Sequence, residues 1–273
     1  MQEAVAYHER HKPQALLVAR DGAVVHEAYD NGFAADKPHA LYSGTKSFWG
    51  PLAIIAQREG LLQLDETVGE TFQSWREDPV KKKVTLRHLL TLTAGIGFGG
   101  LGNAVPAYEK ALATQLRDPP GTRFTYGGIP LQIFGAVLTE KLASDGLTPH
   151  DYLRARILND AGVEIASWRK LADGTQPLPT GAFLAARNWL NYGQYVLAHH
   201  HDYAECFKGT EANPRYGLCW WLAPPGAAPD TVYASGSGGQ ALYVVPSARL
   251  VVARFGGGGS FKHEAFLKRL VTA

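Results

Sequence analysis

Apolar and β-branched residues run through positions 14–29, QALLVARDGAVVHEAY, and are interrupted only at Asp21–Gly22. Asp-Gly suits the two positive-φ positions of a type I′ turn, so this stretch predicts an antiparallel hairpin. Residues 240–254, QALYVVPSARLVVAR, repeat the arrangement around a turn at Pro246–Ala248, and a Gly256–Gly259 loop follows. A short amphipathic helix over about residues 261–271 closes the chain. Between these ends the spacing of apolar positions is helical, over residues 44–59, 85–92, 130–143, 149–158 and 182–198, with Pro- and Gly-rich connections. Strands at both termini and helices between them predict an α/β (α+β) fold, with one antiparallel sheet formed from both chain ends, flanked by helices, and an inserted mostly helical region. The expected division is a sheet region at about 1–60 and 215–273 and a helical region at about 61–214, all within one folding unit spanning 1–273.

Composition narrows the classes. Hydrophobic residues make up 45% and charged residues 19%, which fits a globular chain, and no apolar run is long enough to span a bilayer. Twenty-seven Lys and Arg against 25 Asp and Glu give a net charge of +2, so no strong field points to nucleic acid or an anionic membrane as a partner. The basic run Lys81–Lys83 reads as a solvated face. Cys206 and Cys219 form no metal-spaced set, and neither a metal nor a cofactor is expected. The N-terminal MQEAVAYHERHKPQ does not read as a signal peptide, so the expected compartment is cytoplasmic, or periplasmic or secreted if a leader has been trimmed.

Candidate chemistry starts at residues 40–50, ALYSGTKSFWG, where Ser43 and Lys46 stand three apart at the start of a helical pattern. A serine hydroxyl needs a proton acceptor to become a nucleophile, and a lysine made neutral by burial or positive potential can serve. Spacing of i, i+3 puts the two side chains on one helical face. The plain alternative is a helix-capping serine beside a solvated lysine. PPGTRFTYGG, residues 119–128, places Tyr126 before another helical run, and a phenol near a cationic lysine is expected to have a depressed pKa. In VYASGSGGQALYVVP, glycines at a strand entrance allow close backbone approach and an N–H aimed at an oxyanion.

These three pieces, in this order, resemble the serine β-lactamase/penicillin-binding-protein superfamily, and most of all its class C-like esterase and 6-aminohexanoate-oligomer hydrolase branch. The resemblance runs from LYSGTKSFWGPLAIIAQREGLLQLDETV through VTLRHLLTLTAGI, PPGTRFTYGG and PTGAFLAARNWLNYGQYVL to ASGSGGQALYVVPSARLVVARFGG. It implies a β-lactamase-like fold, with Ser43 as the acylated nucleophile and Lys46 and Tyr126 as the proton-transfer pair. It also implies an oxyanion hole from the backbone N–H groups of Ser43 and Gly236, with Tyr233–Ala234–Ser235 aligned on the family's Lys-Thr-Gly triplet. Ser237 or Gly238 would supply the donor under another register. Tyr233, Ser235, Ser237 and Gly128 are the expected substrate-binding positions.

The sequence departs from penicillin-recognising members at two of these. Tyr233 stands where they have a cation, and Gly128 where an asparagine often follows the tyrosine. The expected substrate is therefore a small-molecule carboxylic ester or amide, hydrolysed through an acyl-enzyme. A D-amino-peptidase or weak β-lactamase, and a non-catalytic ligand-binding homologue, stay open as alternatives. Pro51 should kink the nucleophile helix, at about 3 kcal/mol if it lies in the helix interior. An open cleft lined by Trp49, Phe98, Tyr233 and one of Trp220 or Trp221 is expected. Oligomeric state is not legible.

Other signals lead elsewhere. GIGFGG at 95–100 fits GxGxxG, but no strand leads into it. The histidines of HHHDY at 199–203 cannot all face one ion, His8–Glu9–Arg10–His11 falls one residue short of HExxH, and no GxSxG surrounds any serine.

Overall fold

The first hairpin forms as its pattern predicts. β1 (Pro13–Arg20) and β2 (Ala23–Tyr29) pair antiparallel about Asp21 and Gly22, whose φ values of 52° and 82° are those of a primed turn. The computed structural model describes residues 1–271. It also contains the short strands β3 (His39–Ala40), β4 (Ser167–Trp168) and β5 (Ala182–Leu184), and the strands β6 (Trp221–Leu222), β7 (Val232–Gly236), β8 (Gln240–Val245) and β9 (Leu250–Gly256). The main sheet has the order β2-β1-β9-β8-β7-β6 with every neighbouring pair antiparallel, so both chain ends build it. β3, β5 and β4 form a small second sheet.

The helices named below are α1 (Gln2–Glu9), α2 (Trp49–Arg58), α3 (Ile129–Leu142), α4 (Ala186–Ala198) and α5 (His263–Val271). The pleat divides the sheet's side chains between two cores. Ala15, Leu17 and Ala19 join Leu242, Val244, Val251 and Ala253 under α2, α3 and α4, while Leu16, Val18, Tyr243, Val245 and Val252 face α1 and α5. Burial on both faces explains why β1, β8 and β9 read as nearly continuous apolar runs. Among the described residues no helix is long and apolar enough to cross a membrane.

Two helical expectations are corrected. Residues 182–184 are a strand: Gly181 adopts φ 109°, outside the helical range, and β5 is held between β3 and β4. The pattern over 44–59 is not one α-helix. Residues Tyr42–Phe48 form a 3-10 segment and α2 begins at Trp49. Pro51 thus lies in the first turn of α2, where a missing N–H costs little, rather than in a helix interior. It offers Ser47 O no donor, and that oxygen instead accepts from Tyr192 Oη at 2.7 Å and Trp220 Nε1 at 3.0 Å.

Candidate active site

The 3-10 segment is locked at its entrance. Leu41 N–H donates to Ala182 O at 3.0 Å, and Tyr42 takes φ 47°, a left-handed conformation uncommon outside glycine, immediately before Ser43. One turn on, Lys46 Nζ lies 3.1 Å from Ser43 Oγ and donates to Pro179 O at 3.1 Å. Lys46 is 2% exposed, and burial pulls its pKa down from 10.5 to about 7, with a smaller opposing pull from the Cys219 thiol. Among the described residues no carboxylate forms an ion pair with the Lys46 amine.

Tyr126 reaches the same point from the other side. Its segment is pinned by Thr125 N–H to Leu92 O at 2.9 Å and Gly128 N–H to Gly99 O at 3.0 Å, and Lys46 Nζ stands 4.9 Å from the centre of its ring. The Ser43 hydroxyl is near enough to the phenol to act on its pKa. The expected depression of the Tyr126 pKa is not what the surroundings produce. Burial pushes it up to about 12, with the Ser43 hydroxyl pulling the other way and Cys219 adding to the rise. A lysine that is itself close to neutral supplies little positive potential to stabilise a phenolate.

The third motif arrives along β7. A Cβ on Gly236 would fall 2.1 Å from Leu41 O, so only glycine lets the strand end against the backbone two residues before Ser43. Behind it, the turn 237–239 is fixed by Arg254 Nη1 donating to Gly239 O at 2.5 Å and by the Gln240 amide, which both donates to and accepts from the backbone of Gly256, at 2.7 and 2.9 Å.

The expected substrate-binding positions separate. Ser237 stays exposed in the turn and lines a cavity with Tyr42. Ser235 lies apart from it: the pleat turns its side chain to the α5 face, where its Oγ lies 3.0 Å from His263 Nε2, and His263 Nδ1 lies 2.6 Å from Tyr243 Oη. Tyr233 shares that face, but its ring reaches the sheet edge and stacks on Trp221 at 6.3 Å, while Trp221 stacks on Tyr126 at 5.8 Å. Gly128 has no room to be anything else, since a Cβ there would sit 2.0 Å from Gly100 O. Of the expected cleft aromatics, Trp49 and Trp220 belong to the core, both at 0% exposure, whereas Phe98 is 72% exposed.

Sequence reasoning missed the rail that seats Lys46. Successive carbonyls of Pro177, Leu178 and Pro179 accept from Trp168 Nε1 at 2.9 Å, Trp49 Nε1 at 2.6 Å and Lys46 Nζ at 3.1 Å. Gln132 braces the rail from α3, accepting from Leu178 N–H at 2.9 Å and donating to Pro106 O at 2.7 Å. The only sequence signal was Pro-Leu-Pro itself, a stretch poor in donors and rich in free acceptors. Among the described residues no group of three or more His, Cys, Asp and Glu side chains is placed to hold a metal ion.

Comparison with known proteins agrees with this architecture. The Beta-lactamase family model matches residues 5–195. A protein from Bacillus anthracis provisionally described as a 6-aminohexanoate-dimer hydrolase superposes with a TM-score of 0.82 at 19% identity, covering 98% of this chain and 80% of that one. A class C beta lactamase from Rhodobacter sphaeroides gives 0.75 at 16% identity, covering 99% and 98%. EstCE1, a hydrolase with promiscuous acyltransferase activity, gives 0.76 at 17% identity, covering 98% and 94%. At such identities the solved structures share the fold and nothing finer. No curated protein sequence matches the chain. The family match over most of the chain, on a sheet assembled from both termini, makes this protein a member of the Beta-lactamase family.

Proposed function

We propose that the protein is a serine hydrolase that cleaves a carboxylic ester or small amide through an acyl-enzyme on Ser43. The observation that carries this reading is the 3.1 Å approach of Lys46 Nζ to Ser43 Oγ, by a lysine whose burial brings its pKa to about 7. A neutral Lys46 takes the Ser43 proton as Oγ attacks the carbonyl carbon. The N–H of Ser43 and an N–H from Gly236–Ser237 hold the oxyanion. Tyr126, protonated throughout, accepts a proton from Lys46 as it gives its own to the leaving alcohol or amine, and the C–O or C–N bond breaks. Water then enters, Lys46 takes a proton from it, and the acyl group leaves as the carboxylic acid while Ser43 recovers its hydrogen.

The β-lactamase or D-amino-peptidase alternative is disfavoured because Gly100 O occupies the space a carboxamide at position 128 would need. A non-catalytic binder would have no use for a lysine held near neutrality against a serine, a costly arrangement for the fold. Turnover of p-nitrophenyl acetate and butyrate by the wild-type chain, lost in Ser43→Ala, is the test. Equal rates in the two proteins reject the hydrolase reading, and ligand binding without turnover or adduct would favour the binder.

A further inference from the structure

A cavity of about 670 Å³ adjoins Tyr42, the residue before Ser43, and the turn at Ser237. Its walls include Phe33, Phe183 and His39. Tyr42 and Phe183 are 46% and 37% exposed, a solvent exposure that a bound apolar chain would relieve. His39 is sandwiched between Phe33 and Phe255, with ring centroids 4.4 and 4.1 Å away, and burial lowers its pKa to about 4, so it is neutral in ordinary buffers. Among the described residues no Asp, Glu or Arg lines the cavity, and Lys37 is the one lysine that does. Lys37 Nζ donates to Gly32 O at 2.9 Å and lies 4.5 Å from the Phe33 ring centre, which leaves donor capacity on an ammonium that has three N–H bonds.

The position decides which half of a substrate enters. The leaving group must receive its proton from Tyr126 and Lys46, so it departs on their side. Neither of them lines the cavity, and nor does Trp221, which stacks on Tyr126. The half that stays on Ser43 is therefore the one directed toward Tyr42 and Ser237.

We propose that this cavity is the acyl-arm subsite and that the preferred acyl chain ends in a carboxylate held by Lys37, its methylene or aryl body lying against Phe33, Tyr42 and Phe183. The assignment rests on the serine hydrolase reading. The substrate class is the half-ester or half-amide of a dicarboxylic acid; water cleaves the acyl bond and the products are the dicarboxylate and the free alcohol or amine.

The experiment compares p-nitrophenyl hydrogen adipate with p-nitrophenyl hexanoate, which have acyl chains of equal carbon count, in wild type, Lys37→Met and Lys37→Arg. A solvent-accessible ion pair is modest and screened, so the adipate:hexanoate ratio of kcat/KM is expected to be about fivefold higher in wild type than in Lys37→Met, to shrink at high salt, and to be kept by Lys37→Arg. Labelling of Ser43 by a small fluorophosphonate is read in parallel in all three proteins. Labelled Ser43 with the same ratio in wild type and Lys37→Met overturns the subsite while the hydrolase reading stands. Unlabelled Ser43 in wild type overturns the hydrolase reading and the subsite with it.

Discussion

Lys46 Nζ donates to the carbonyl oxygen of Pro179 at 3.1 Å, across 133 positions of sequence. That bond aims the amine at Ser43 without adding a negative charge, so burial is free to lower the lysine pKa. A carboxylate in the place of Pro179 O would raise the pKa and keep the amine protonated.

Loosening the rail should therefore change the pH dependence as well as the rate. Trp168→Phe keeps the ring but removes the N–H to Pro177 O, at a stability cost of about 1 kcal/mol. With Lys46 less firmly held and better hydrated, kcat is expected to fall and the acidic inflection of the pH–rate profile to move above 7. A profile unchanged in shape would mean the rail does not act on Lys46.

Lys46 should cost the fold stability at neutral pH. Its native pKa of about 7 lies below the unfolded value of 10.5, so between those pH values the unfolded chain holds a proton the native chain lacks, and raising pH stabilises the native state. Below pH 7 the penalty is present in full. Its pH-dependent part is on the order of 5 kcal/mol, partly offset by the hydrogen bonds to Ser43 and Pro179. Lys46→Met is expected to be inactive yet to melt higher than wild type at pH 6–7, with the gap narrowing toward pH 9. Thermal melts across that range check it.

In the proposed mechanism Tyr126 is a protonated relay. Tyr126→Phe keeps the stack on Trp221 and is expected to lower kcat by about 10²- to 10⁴-fold with little change in melting temperature. The wild-type profile should show no second inflection near pH 10, because burial holds the phenol pKa near 12.

Two glycines separate catalysis from specificity. Gly236→Ala drives a Cβ into Leu41 O and is expected to lower both melting temperature and kcat, since it displaces β7 from Ser43. Gly128→Asn restores a family side chain where Gly100 O and Pro179 already stand, and is expected to destabilise the protein without conferring nitrocefin hydrolysis. Efficient nitrocefin turnover by that variant would show that the loop at Gly100 yields.

The two hairpins and α3 were legible because each rests on a local rule, turn chemistry or helical spacing, and the approach of Lys46 to Ser43 follows from their i, i+3 spacing, whereas the meeting with Tyr126 was only what the family resemblance implied. β5 was lost inside a helical pattern because its strand state comes from partners at residues 39–40 and 167–168. The sequence did not separate cleft aromatics from core ones, Trp220 from Trp221 included, because the carbonyls that seat the buried indoles of Trp49 and Trp220, Leu178 O and Ser47 O, are distant in the chain. The surroundings of Ser235 were hidden for a smaller reason: alternate residues of a strand face opposite sides, and its partner there, His263, is 28 positions away. The direction of the Tyr126 shift needed the burial of Lys46, which no local pattern carries.

The most direct test is the rate of Ser43 acylation as a function of pH, followed by intact-protein mass spectrometry under single-turnover conditions with p-nitrophenyl butyrate and located by peptide mapping. The expected result is one acyl group on Ser43, formed at a rate that rises with pH through a single inflection near 7 and levels off above it. An adduct on another residue, no adduct at all, or a rate that follows hydroxide with no inflection would contradict the assignment of Lys46 as the base for Ser43.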